Sequence, residues 1–101
     1  MLNFSKPERE AVEVESQTLY VHPLNAGQYA KLLSTMEELR KSNEAFLADF
    51  ELLKESCKDA DGKAIFATIQ EAMEIPPQMA GKLLPICLKV NGMGDAEKKV
   101  N

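Results

Sequence analysis

Residues 29–57 read YAKLLSTMEELRKSNEAFLADFELLKESC, and within them Tyr29, Leu32, Met36, Leu39, Asn43, Phe46, Phe50, Leu53 and Cys57 recur at alternating spacings of three and four. A stripe of that period lies along one face of an α-helix and must be buried against other helices, in the same chain or in another copy. Leu32, Leu39, Phe46, Phe50 and Leu53 are therefore expected to build the core, and aspartate at Leu39 or Phe46 to unfold the chain or abolish association. The phase passes through Ser42 and Asn43 without a skipped position, which favours one helix from about residue 26 to 57. Ser42 and Asn43 are nevertheless poor interior residues, and either could cap a new start, so two helices meeting at Ser42 stay open. Asn43 is correspondingly either a polar residue that fixes register in a helical seam or a solvent-facing break.

Upstream of this stretch the pattern changes. Val12 and Val14 alternate with polar residues, Glu15-Ser16-Gln17 reads as a turn, and Thr18-Leu19-Tyr20-Val21 is a second β-rich run. The expected hairpin carries Val12 and Val14 on one face and Leu19 and Val21 on another alternating set. A lone hairpin is marginal in water, so it must lean on the helices or pair with a neighbouring sheet edge. Pro23 stops the second strand, and Asn25 is placed to cap a helix beginning near Ala26 and running through Lys41.

Downstream, Asp59-Ala60-Asp61-Gly62-Lys63 resembles a calcium loop only superficially. Counting from Asp59 puts Lys63 at the fifth position, Ala64 where the turn glycine belongs and Gln70 where a bidentate glutamate is needed. A turn whose aspartate caps the next helix explains the same residues. That helix is expected to carry Ile65, Phe66, Ile69 and Met73 and to stop at Ile75, because the residue before proline is pushed out of the α region. A last helix starts at Pro77 and turns Met79, Leu83, Leu84, Cys87 and Leu88 inward; Pro85 is expected to kink or shorten it, and Gly92 and Gly94 to close the fold.

The expected architecture is mainly α: an N-terminal β-hairpin followed by a small helical bundle of three to four helices. Residues 1–10 read as a flexible arm, 11–92 as a single helical domain with its hairpin, and 93–101 as a flexible polar tail. A chain of 101 residues, 45% hydrophobic and 28% charged, suits one modest core. The net charge of −4, with Lys and Arg interleaved among Asp and Glu, argues against nucleic-acid binding. No apolar run is long enough to span a membrane, and Met1–Arg9 lacks the apolar core of a signal peptide, so a cytoplasmic location is expected. Cys57 and Cys87 sit in apolar helical patterns and read as free, buried hydrophobes.

Catalytic, cofactor-binding and metal-binding residues are all expected to be absent. His22 is the single histidine and stands beside Pro23 without a carboxylate or cysteine at a fixed spacing. The pairs Glu37-Glu38 and Asp49-Glu51 read as solvated helix faces, with Glu37 and Lys41 able to pair across one turn. Glycine-rich phosphate loops, zinc spacings and nucleophile elbows are not seen. The chain is thus expected to act by binding, not as an enzyme.

The order of features, a short hairpin, the junction Val21-His22-Pro23-Leu24-Asn25-Ala26-Gly27-Gln28 into a long helix, a compact helical remainder and a polar tail, resembles the small tail assembly chaperones of long-tailed, lambda-like bacteriophages. Val21, Pro23, Leu24 and Ala26 to Gln28 carry the likeness, which spans about residues 11 to 90. The resemblance implies a chaperone in the bacterial host cytoplasm that binds and solubilises the tape measure protein and helps recruit tail tube subunits. It also implies a homo-oligomer and a second, longer product made by a −1 ribosomal frameshift, for which an adenine run encoding Lys98-Lys99 would serve. The alternative is a small oligomeric adaptor or regulatory protein that binds another protein through a helical surface.

Overall fold

The computed structural model describes residues 8–92. Residues 1–7 of the expected arm, the expected tail 93–101, Gly94 and Lys98-Lys99 lie outside the described residues. The described chain forms β1 (Glu10–Val14), β2 (Gln17–Val21), α1 (Ala26–Lys41), a one-turn 3₁₀ helix (Ala45–Leu47), α2 (Ala48–Ser56), β3 (Cys57–Lys58), α3 (Ile69–Met73) and α4 (Pro77–Val90). It is a mixed α and β fold of four α-helices and a three-stranded antiparallel sheet, not a helical bundle with an appended hairpin.

β1 and β2 pair antiparallel with Val12 opposite Leu19, Glu10 opposite Val21 and Val14 opposite Gln17. The connection is a two-residue turn, Glu15 (φ 50°) and Ser16 (φ 66°), both left-handed as the favoured hairpin turn requires. Gln17, read as part of the turn, is the first residue of β2. Opposite residues share a face, so Val12, Val14, Leu19 and Val21 merge into one apolar surface instead of two alternating sets. Helix α4 covers that surface, and Val12, Leu19 and Val21 are buried. The free edge of β1 is also guarded, because Lys82 Nζ on α4 donates to the Glu13 carbonyl at 2.6 Å and Lys89 pairs with Glu10 at 3.0 Å. Both contacts blunt an edge that the hairpin alone would offer to another sheet.

Asn25 caps α1 as expected. Its Oδ1 accepts from the Gln28 N–H at 2.8 Å while Gln28 Oε1 accepts from the Asn25 N–H at 2.9 Å, a reciprocal capping box. The helix ends at Lys41 with Ser42 as its C-cap, so of the two open readings the structure has two helices and not the continuous helix to residue 57 that the phase favoured. Asn43 adopts φ 67°, the Asn43 N–H donates to the Arg40 carbonyl at 3.1 Å and the Glu44 N–H to Leu39 at 2.6 Å. These are the two bonds of a Schellman termination, in which a left-handed residue closes the last turn. Asn43 is therefore a helix stop exposed to solvent, and not a register residue in a seam. After the reversal the 3₁₀ turn leads into α2, which packs beside α1.

The reversal divides the nine-position seam. Leu32, Leu53 and Cys57 are buried, Met36, Leu39 and Phe50 are half-buried, and Phe46 is 65% exposed. Phe46 is thus no core residue, and Tyr29 is exposed too.

The chain then makes a strand that periodicity could not show. Cys57 and Lys58 pair with Val21 and Tyr20, making β2 the central strand in the order β1-β2-β3. Asp59 does not cap a helix; its Oδ1 accepts from the Asp61 and Lys63 N–H groups, both at 2.9 Å, and so closes its own loop around Gly62 at φ 85°. Ala64 bridges back to Lys58, and the Ile65 N–H donates to the Cys57 carbonyl at 3.2 Å. These bonds hold Ile65 and Phe66 out of helical conformation, so α3 is only the five residues Ile69–Met73, capped by Thr68 Oγ1 on the Glu71 N–H at 3.1 Å.

Pro77 occupies the first turn of α4 as expected, but Pro85 does not shorten the helix, which runs on to Val90. Gly81, whose carbonyl loses its donor at Pro85, and Pro85 itself are both exposed, so solvent can replace the missing bond. Leu83 and Cys87 are fully buried, and Gly92 at φ 73° closes the helix.

Candidate functional site

Four groups of residues are candidates for a site: His22, the carboxylates, the two thiols and the exposed apolar side chains. His22 follows β2, and its backbone N–H donates to the Ser56 carbonyl at 2.8 Å. Its Nε2 is buried and has no hydrogen-bond partner among the described residues. The charges around it are cationic: Arg9, whose guanidinium stacks 3.9 Å from the Tyr20 ring centroid, and Lys58. Burial first, then Arg9 and Lys58, push the imidazole pKa below its ordinary value.

A depressed folded-state pKa has a defined sign. The unfolded chain binds the proton more tightly, so the contribution of neutral His22 is complete above the unfolded value of about 6.5 and is lost as pH falls through the folded value. Thermal melts between about pH 7.5 and about pH 5.5 are expected to show a falling Tm, with a shallower fall in His22→Gln. Equal slopes in the two proteins would remove His22 as the cause.

Glu37, Glu38 and Asp49 are exposed, in accord with solvated helix faces, but Glu51 is buried. Glu37 pairs with Arg40 at 2.8 Å and not with Lys41. Glu51 pairs with Lys54 at 3.2 Å, and Lys54 also reaches Glu55 at 3.4 Å. Burial opposes the charge on Lys54, yet the hydrogen bond and charge of Glu51, followed by Glu55, outweigh it and hold the ammonium above its ordinary pKa. This ion pair lies beside a cleft of about 400 Å³ between α1 and α2, lined by Gln28, Lys31, Leu32, Thr35, Glu51 and Glu55. Among the described residues, three or more His, Cys, Asp or Glu side chains nowhere converge as a metal site would require.

Cys57 and Cys87 are free and fully buried, and their side chains hydrogen-bond to each other. That bond, and then burial, drive the Cys87 thiol far above its ordinary range, while the same bond lowers Cys57 against the effect of burial. Cys87 is a protonated core thiol at neutral pH. One polar side chain stands out near the pair: Asn91 Oδ1 accepts from the Leu24 N–H at 2.7 Å, and Asn91 Nδ2 donates to the Cys87 carbonyl at 2.8 Å and to Ser56 Oγ at 3.4 Å. It joins the end of α4 to the β2–α1 junction and to the end of α2, a role that its position immediately before Gly92 did not announce.

The apolar groups left outside the core occupy two places. On α1, Tyr29 and Leu33 are exposed, the latter by 46%, and Phe46 stands beyond the helix end. Beside the Asp59 loop, Ile65 and Met79 join Val14 and Leu19 in lining a concavity of about 340 Å³, and Met73 is exposed on α3. An apolar concavity edged by polar residues, here Glu15, Gln17, Thr18 and Asp59, suits an apolar segment of a partner better than it suits a reaction.

The class that this arrangement defines is a small mixed α and β domain with two exposed apolar surfaces. Neither the protein-family models, nor the curated proteins, nor the solved structures contain a match to the chain. No helix among the described residues is long and apolar enough to cross a membrane.

Proposed function

We propose that the chain is a non-enzymatic phage tail assembly chaperone that binds and solubilises the tape measure protein and helps recruit tail tube subunits in the host cytoplasm. The observation that carries this reading is the apolar concavity at Ile65 and Met79, with Met73 nearby in sequence and exposed on α3. Ile65 and Met73 are exposed and Met79 is half-buried, and such side chains accept apolar partners in varied registers, as a long helical client with a repeating apolar face demands. Coating such a client with many copies also requires the copies to associate, for which the exposed stripe of α1 is the available material. A frameshift-extended form of the chain would then link coated client to tube subunits.

The test uses a purified tape measure segment that is helical, apolar and aggregation-prone. Diluted from denaturant, it is expected to scatter light alone and to stay clear with a stoichiometric amount of this chain. Scattering unchanged by excess chain would contradict the chaperone reading and leave the adaptor.

A further inference from the structure

Helix α1 is under-supported for its size. It has 16 residues, about 24 Å of helix, and only Leu32 is buried. Helices gain most of their stability from packing an apolar face, so a helix of this length with one buried side chain calls for a second contact. At 100° per residue, Ala26, Tyr29, Ala30, Leu33, Glu37 and Arg40 fall in one sector of about 100° beside Leu32. All six are exposed.

The stripe is asymmetric along its length. Its N-terminal half is apolar and aromatic, Leu33 lies near the middle, and the Glu37–Arg40 ion pair occupies the C-terminal half. Antiparallel pairing with a two-fold axis at Leu33 sets Leu33 against Leu33, Glu37 against Tyr29 and Arg40 against Ala26. The Tyr29 hydroxyl can then donate to the Glu37 carboxylate, and Arg40 can reach the Tyr29 ring. Parallel pairing would instead set each charge against its own kind.

The two ends of α1 complete the pattern. An open concavity of about 380 Å³ lies at the N-terminal end, lined by Pro23, Leu24, Ala26, Tyr29 and Val90 among others. Phe46, the most exposed large apolar side chain among the described residues, lies past the C-terminal end. A two-fold axis across the helix would carry the end of each helix that bears Phe46 to the hollow at the start of the other, the self-complementarity of an isologous interface.

We infer that the outer face of α1 is the surface on which a second copy of this chain docks, antiparallel, with Phe46 of each copy seated in the concavity formed by Leu24, Ala26 and Tyr29 of the other. This deepens the self-association in the proposed function and is independent of the client-binding surface at Ile65 and Met79.

Sedimentation equilibrium on the intact chain tests it, with far-UV circular dichroism confirming that each variant is folded. The wild-type chain is expected to be a dimer. Phe46→Ser, which removes the knob, and Ala26→Trp, which fills the hollow, are each expected to weaken dimerisation more than about tenfold, while Lys63→Ala leaves it unchanged. A wild-type chain that remains monomeric would overturn this interface and the self-association in the proposed function together. Folded Phe46→Ser and Ala26→Trp proteins that dimerise as tightly as wild type would overturn this interface alone.

Discussion

Leu53→Asp is expected to leave the chain unfolded at room temperature, whereas Phe46→Asp, seven residues earlier on the same sequence stripe, is expected to leave it folded. Leu53 is 1% exposed in the centre of the core cluster, within α2. Removing a buried leucine costs about 2–5 kcal/mol in lost packing. Burying an aspartate there adds at least several kcal/mol, or forces the backbone open to hydrate it. The total rivals the ~5–15 kcal/mol by which a domain is held folded. Phe46 stands at 65% exposure, and a carboxylate there stays in water, so its effect on folding is expected within about 0.5 kcal/mol. Urea unfolding monitored by circular dichroism checks both. A folded Leu53→Asp, or an unfolded Phe46→Asp, would mean that the chain reversal at Asn43 is absent and that the two positions share one environment after all.

Asn91→Ala is expected to destabilise the fold by about 2–3 kcal/mol although it removes no apolar contact of consequence. Asn91 satisfies three groups from three parts of the chain: the Leu24 N–H at 2.7 Å, the Cys87 carbonyl at 2.8 Å and Ser56 Oγ at 3.4 Å. All three bonds are partly shielded from water, so deleting the amide strands the Leu24 N–H and takes the partner from Ser56 Oγ, while the Cys87 carbonyl keeps the backbone N–H of residue 91 at 3.2 Å. Ser56→Ala is the comparison. It gives up only the longest of the three bonds and leaves Asn91 paired to Cys87 and Leu24, so a loss below about 1 kcal/mol is expected. Chemical denaturation of both variants separates the cases. Equal, small losses would show that Asn91 is a helix cap and nothing more.

What could be read in the chain was local. Asn25 as a helix cap, Pro77 at a helix start and two β-rich runs joined by a short polar turn are each set by the conformational needs of a few neighbouring residues, and each appears where expected, although the turn gives up Gln17 to β2. The misreadings share one cause, that periodicity counts residues and not directions. A Schellman turn at Asn43 reverses the chain without disturbing the three-four count, so Phe46 keeps its phase while losing its burial. Asn at that position is itself a stop signal of moderate strength, outweighed in the reading by the unbroken stripe.

The remainder depends on tertiary partners that leave no local trace. Two residues of β3 are too short for any period, and they exist because β2 offers an edge at Tyr20 and Val21. That pairing draws Ile65 and Phe66 out of the helix their spacing suggested. Lys82 reads as an ordinary exposed residue of α4 until the Glu13 carbonyl is found 2.6 Å away. No candidate site residues were legible because the surfaces of interest are defined by what the core fails to cover. Ile65 and Met79 become a surface only once the Asp59 loop and the hairpin are brought together, and the stripe of α1 only once α2 has turned back on the other side of it.

The apolar concavity at Ile65 and Met79 is the surface proposed to bind the client. Hydrogen exchange on this chain, alone and with the tape measure segment in excess, tests that most directly. Added protection is expected at residues 64–73 and in the first turns of α4 around Met79, with little change at residues 45–47. Protection confined to α1, or no protection anywhere despite a clear solution, would contradict it.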